Sequence, residues 1–177
     1  MNANFQQALK WVLKSEGGYV EHPQDPGGAT NKGVTLETYR IFRQNHHLTA
    51  EDLKKISDQD VSTIYKKMFW DKIRGDDLPA GVDYCVFDAA VNSGPGRASK
   101  WLQACVGADV DGVLGPITIT LTKRQKTDQL IHDYCMRRLS FLLDLPTWKT
   151  FGKGWTKRVN EVELNAYSLT KIPSGVK

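Results

Sequence analysis

Apolar residues recur at helical spacing along most of the chain. Between residues 4 and 16, Phe5, Ala8, Leu9, Val12 and Leu13 follow the spacing of one helix face, which predicts an amphipathic helix. Gly17 and Gly18 end it. The periodicity then lapses. Residues 19–35, YVEHPQDPGGATNKGVT, are rich in Pro, Gly, Asn and Asp and predict a long loop or a small β-hairpin. Helical patterns return at about 36–45, 50–56 and 58–70, with Thr49 and Asp58 placed to cap the last two. The segment RGDDLPA, Arg74 to Ala80, breaks the chain again. Beyond it, a helix with Val82, Cys85, Val86 and Ala89 on one stripe ends near Asn92–Gly96. Further helices are expected at about 97–106, 116–122, 126–145 and 154–171, with Pro116 suited to a first helical turn. The fold class is mainly α. The expected organisation is a region 1–76 and a region 77–177, packed together as one unit.

Composition narrows the class. A chain of 177 residues with 40% hydrophobic content can bury one core. Twenty-four Lys and Arg against twenty Asp and Glu leave a net charge of +4. The basic residues are scattered, which speaks against a nucleic-acid partner. The densest group, Lys123, Arg124 and Lys126, reads as a solvated face. Cys85, Cys105 and Cys135 are odd in number and show no C-x-x-C spacing, so neither a disulfide framework nor a zinc site is expected. Each falls in an apolar helical pattern, which predicts reduced, buried thiols. No apolar run reaches the length of a membrane span, so no stable membrane insertion is expected. The start, MNANFQQALKW, lacks the basic beginning and apolar middle of a signal peptide. The expectation is therefore synthesis in the cytoplasm.

The residue with the most chemical promise is Glu16. On a helical wheel it lies about 20° from Phe5, on the apolar face and in the last turn. An apolar surround and a helix C-terminus both disfavour a carboxylate's charge. Such a carboxyl is suited to protonating the leaving oxygen of a glycosidic bond. The competing reading is a frayed helix end with Glu16 in water. Asp25 follows nine residues later in a turn-like segment, and Thr30 five further on. A second carboxylate could orient a water or act as nucleophile, and a hydroxyl could hold that water. Taken alone, Asp25-Pro26-Gly27-Gly28 is a turn, and a turn aspartate is the default reading. Other chemistries find less support. His22 stands without the H-E-x-x-H spacing of a zinc peptidase. Asp109 and Asp111 suggest a calcium loop, but Thr120 occupies the position of its bidentate Glu. No G-x-S-x-G elbow is present.

The run Glu16-Gly17-Gly18-Tyr19, followed by Asp25-Pro26-Gly27-Gly28-Ala29-Thr30-Asn31-Lys32-Gly33-Val34-Thr35, resembles the signature of glycoside hydrolase family 108. These are N-acetylmuramidases found largely as phage endolysins. Phe87-Asp88-Ala89-Ala90-Val91-Asn92-Ser93-Gly94, Asp111-Gly112-Val113-Leu114-Gly115-Pro116 and Gly152-Lys153-Gly154-Trp155 resemble the family's C-terminal peptidoglycan-binding region. The resemblance implies a lysozyme-like helical fold acting on the glycan strands of peptidoglycan. It implies Glu16 as catalytic acid, with Asp25 and Thr30 completing a Glu, Asp, Thr set. Thr30 follows Asp25 after four residues where related lysozymes have five, which makes Thr35 the alternative. Tyr19, Asn31, Thr35 and Asn92 are the implied substrate contacts. No cofactor or metal is expected, and the protein is expected to be a monomer. A phage enzyme of this kind would reach the wall through a membrane lesion and act in the periplasm. The rival readings are a lytic transglycosylase and a non-catalytic wall-binding or secretion-associated module.

Overall fold

The computed structural model describes residues 3–20 and 28–171. The chain divides into two compact units, residues 6–68 and residues 1–5 with 69–177. Helix α1, Ala3–Glu16, is the predicted amphipathic helix, and Phe5, Ala8 and Val12 on its stripe are fully buried. It stops where Gly17 takes φ +75°, a conformation that costs glycine little.

In the 6–68 unit, the loop after α1 returns as a two-stranded antiparallel hairpin, β1 (Thr30–Asn31) and β2 (Val34–Thr35). Thr30 pairs with Thr35 and Asn31 with Val34. Lys32 and Gly33 form the turn with φ +50° and +73°, the paired positive angles of a tight two-residue hairpin. Thr35 then caps α2, Leu36–Arg43, by accepting from the Thr38 N–H at 3.1 Å. Helix α3, Ala50–Lys54, starts with a capping box between Thr49 and Asp52. Helix α4, Asp58–Tyr65, is capped by Ser57, whose hydroxyl accepts from the Asp60 N–H at 3.1 Å. The expectation of Asp58 as cap is thus corrected by one residue. Asp58 is instead the first helical residue, where its charge complements the helix dipole. The α-helix also stops short of residue 70, because Lys66–Trp70 widen into a π-helical turn. An extra residue in a turn rotates the facing of the residues after it, and Trp70, the last of the turn, is fully buried.

The larger unit is built around α5, Val82–Ser93, in which every residue from Val82 to Ala90 is buried. Helices α6 (Pro95–Val106), α8 (Thr127–Leu143) and α9 (Trp148–Thr170) pack on it. Helix α7, Pro116–Arg124, contacts α6. Phe5, Trp70 and Phe87 meet edge to face at 5.2–5.8 Å between ring centres. Gly81, at φ +90°, lets the chain enter α5, because a Cβ there would meet the Ala166 carbonyl at 2.7 Å. The last helix begins at Trp148, not near 154. Gly152 lies against the Trp148 ring, so it serves packing instead of ending a helix.

Two buried aspartates on α5 behave oppositely. Asp88 is held by Arg138 of α8 at 2.6 Å and by Arg158 of α9 at 3.0 Å. Burial pushes its carboxyl up, but the two guanidinium charges outweigh this and hold it below the usual carboxylate range. Asp83 accepts from the N–H groups of Gly81 and Tyr84 and from Asn4 at 2.7–2.9 Å. No cation is among those partners, and burial pushes its carboxyl up to about 6.

Candidate active site

Glu16 is the last residue of α1, as its sequence position suggests, and is half-buried. The turn of the hairpin lies against its stem. A Cβ built on Gly33 would lie 3.3 Å from the Glu16 Cβ and 3.4 Å from its Cγ. The same Cβ would overlap the Tyr65 hydroxyl. Gly33 is therefore needed twice, for its positive φ and for the absence of a side chain. Tyr65 sits at the end of α4, is 1% exposed, and donates its hydroxyl to the Lys32 carbonyl at 3.0 Å. So the 6–68 unit supplies a carboxyl on a helix end, a backbone turn laid against its stem, and a buried tyrosine pinning that turn. Tyr65 does not stand out in the sequence. It lies in a helical apolar pattern, and its partner is 33 residues away.

Four further candidate residues come from the same loop. Thr30 exchanges two backbone hydrogen bonds of 2.8 Å with Val20, which closes the loop on itself. Its hydroxyl lies 3.5 Å from the Val20 carbonyl, the long limit for a hydrogen bond. Asn31 is 6% exposed, and its amide donates to the carbonyls of Leu53 and Lys54 at 3.0 and 3.2 Å. Its donors thus fasten the hairpin to the end of α3. The Thr35 hydroxyl donates to that of Thr38 at 2.9 Å while capping α2. Tyr19 lies just past α1, half-buried, with the Lys54 ammonium 4.7 Å from its ring centre. Lys32 pairs with Asp58 at 2.5 Å, and that hydrogen bond holds the Asp58 carboxyl below its ordinary range. Asp25 and His22 lie outside the described residues.

Asn92 belongs to the larger unit, exposed in the last turn of α5. Its side-chain oxygen accepts from Arg138 and from the Ser93 hydroxyl, each at 3.4 Å. Through Arg138 it is tied to the buried Asp88. The Asp109–Asp111 segment is a turn, with Asp111 accepting from Gln103 and the Val113 N–H. Cys85 and Cys135 are buried with sulfurs 3.9 Å apart, whereas Cys105 is half-buried, a departure from the expected burial of all three. It lies on the side of α6 that borders open space, where helical spacing gave no warning. Among the described residues no three His, Cys, Asp or Glu side chains gather as metal ligands would.

Comparison with known proteins adds to this geometry. Residues 9–94 match the family described as glycosyl hydrolase 108, and residues 97–160 match a predicted peptidoglycan domain. The two spans meet at the Gly94–Gly96 junction between α5 and α6. Among solved structures, that of Brucella abortus SagA is similar with a TM-score of 0.83 and 42% sequence identity. The match covers 97% of this chain and 98% of that one. No curated protein matches.

Proposed function

Given that the chain belongs to the glycosyl hydrolase 108 family and carries its peptidoglycan-binding region, we propose that this peptidoglycan hydrolase is an N-acetylmuramidase. Its bond is the β-1,4 linkage from N-acetylmuramic acid to N-acetylglucosamine, and its general acid is Glu16. The observation that carries the reading is the seating of Glu16. Its stem is held between a helix end and a hairpin turn that Tyr65 pins, while the residue stays partly open to solvent. A general acid needs that combination of a fixed position and access to the leaving oxygen.

In this scheme Glu16 gives its proton to the glycosidic oxygen as the bond lengthens. Positive charge then grows on the sugar ring in an oxocarbenium-like state. Asp25 faces that charge, or takes a proton from the attacking water, and Thr30 holds the water. Tyr19, Asn31 and Thr35 shape the surface for the glycan in the 6–68 unit, and Asn92 is a separate glycan contact in the larger unit. For Asn31 and Thr35 the hydrogen bonds above make that contribution indirect, through the hairpin and α2.

The experiment is release of reducing ends from purified peptidoglycan by wild type, Glu16→Gln and Asp25→Asn. General acid–base groups contribute about 10²- to 10⁴-fold, so Glu16→Gln should lose at least about a hundredfold. A wild-type rate in Glu16→Gln sinks the assignment, and a mere twofold loss in Asp25→Asn returns Asp25 to a turn residue. Mass spectrometry of the products should show reducing termini. Anhydro termini would make the protein a lytic transglycosylase.

The proposed setting is host-cell lysis by a phage-type endolysin, a monomer made in the cytoplasm and active in the periplasm. Produced in the cytoplasm of a Gram-negative host, it should leave cells intact until chloroform opens the inner membrane. Lysis without chloroform would contradict that dependence.

A further inference from the structure

The larger unit contains a groove of about 610 Å³ between α6 and α8 that the cleavage chemistry leaves unused. Its apolar lining is Trp101 and Phe141, with ring centres 5.3 Å apart, together with Ala104 and the exposed Met136. Along α8 the groove is edged by Asp133, Arg137, Ser140 and the capping residue Asp144, all exposed. On a helical wheel these four fall within about 60°, so they form one row. The row runs negative, positive, hydroxyl, negative over about 16 Å of helix. An extended peptide advances roughly 3.3 Å per residue, so the row matches about five residues.

The aromatic side of the groove is poorly suited to sugar. Stacking on a pyranose needs an open ring face. Trp101 is only 8% exposed, and the guanidinium of Arg97 sits 4.6 Å from the centre of Phe141. The part left open is an aromatic edge and the Met136 side chain beside alternating charges.

We propose that this groove binds the stem peptide of peptidoglycan, with Arg137 taking a peptide carboxylate and Asp133 and Asp144 taking the ammonium and N–H groups. The peptide carries both kinds of charge, because its glutamate and terminal carboxylates flank a diamino acid. Its alanine methyl groups fit the edges of Trp101 and Phe141. The assignment rests on the reading above only for peptidoglycan as the polymer. It adds that the chain recognises the peptide as well as the glycan.

The test uses the full chain and a synthetic tripeptide, L-alanyl-γ-D-glutamyl-meso-diaminopimelate, with peptide-free chitohexaose as comparison. Cys105 lines the groove and is half-buried, while Cys85 and Cys135 are buried, so iodoacetamide labelling followed by mass spectrometry reports on the site. The tripeptide should bind in calorimetry and slow labelling of Cys105, and chitohexaose should do neither. Arg137→Glu should weaken tripeptide binding about ten- to a hundredfold, as expected for a charge-assisted hydrogen bond. Arg137→Lys should retain most of it. Absence of tripeptide binding, equal binding by Arg137→Glu, or equal protection by chitohexaose overturns the proposal. A chain that releases reducing ends yet ignores the tripeptide loses the groove and keeps the muramidase reading. One that binds the tripeptide through Arg137 but releases no reducing ends does the reverse.

Discussion

At the residue scale, Gly33 shows how a single position can carry two requirements. An L side chain at φ +73° costs about 1–2 kcal/mol, and a Cβ would also collide with the Tyr65 hydroxyl. Gly33→Ala should therefore lose about 1–3 kcal/mol of stability in urea unfolding, together with most glycan cleavage. Adding Tyr65→Phe removes the collision but not the backbone strain. The double variant should recover part of the loss, and no recovery would mean that the overlap is not the cause. Asp83 offers a second test. Its folded-state value of about 6 lies above the ordinary 3.8. The folded chain thus holds that proton more tightly, so the associated stability is full below about pH 4 and is lost as pH rises through 6. The gap corresponds to about 3 kcal/mol. Asp83→Asn keeps an oxygen for the Gly81 and Tyr84 N–H groups, and Asn4 can turn its amide to suit. The variant should be more stable than wild type at pH 7.5, with the difference shrinking at pH 5. Melting curves at the two pH values decide it, and a pH-independent difference would refute the titration of Asp83.

At the element scale, α5 was visible as a helix from its apolar stripe, but its burial on all sides was not. A one-sided pattern predicts one buried face, whereas Asp83, Tyr84 and Asp88 are buried too. The arginines that hold Asp88 lie 50 and 70 residues away, and Asn4 lies 79 from Asp83, beyond any local pattern. Asp88→Ala would leave Arg138 buried and without its carboxylate. Such a break costs about 3–5 kcal/mol, with the midpoint of urea unfolding as the measurement. Asp88 also opposes Asp83 in pH dependence. Its folded value is depressed, so its stability is present above 3.8 and lost as pH falls through that lower value. The short elements of the 6–68 unit depend more on local chemistry. Thr49→Ala removes the capping box of a five-residue helix and should cost about 1 kcal/mol.

At the scale of the whole molecule, three divisions of the chain do not coincide. The turn-rich break lies at Arg74–Ala80, the compact units part at Met68 and Phe69, and the family spans meet at Gly94–Gly96. The reason is α5, which belongs to the glycosyl hydrolase span and packs with α6, α8 and α9. A cut after residue 94 would strip α5 of the helices that bury it. In the fragment 1–94 the amides of α5 should therefore lose their protection against hydrogen exchange, and retained protection would show that α5 does not need those helices.

The features legible in the sequence alone were local ones. Helix periodicity, the glycines after Glu16, the Thr49 cap and the Glu16-to-Thr35 signature are all readable within a few turns of chain. Hydrogen bonds and side-chain spacing along one helix or hairpin are set by near neighbours. The placement of Glu16 at the helix end was legible for that reason. Tertiary structure decided the rest. The π turn that buries Trp70, the pressing of Gly33 against the Glu16 stem, the pin from Tyr65 and the two fates of Asp83 and Asp88 all depend on groups distant in sequence. Burial and charge pairing are properties of a residue's surroundings, and those surroundings exist only once the chain has folded.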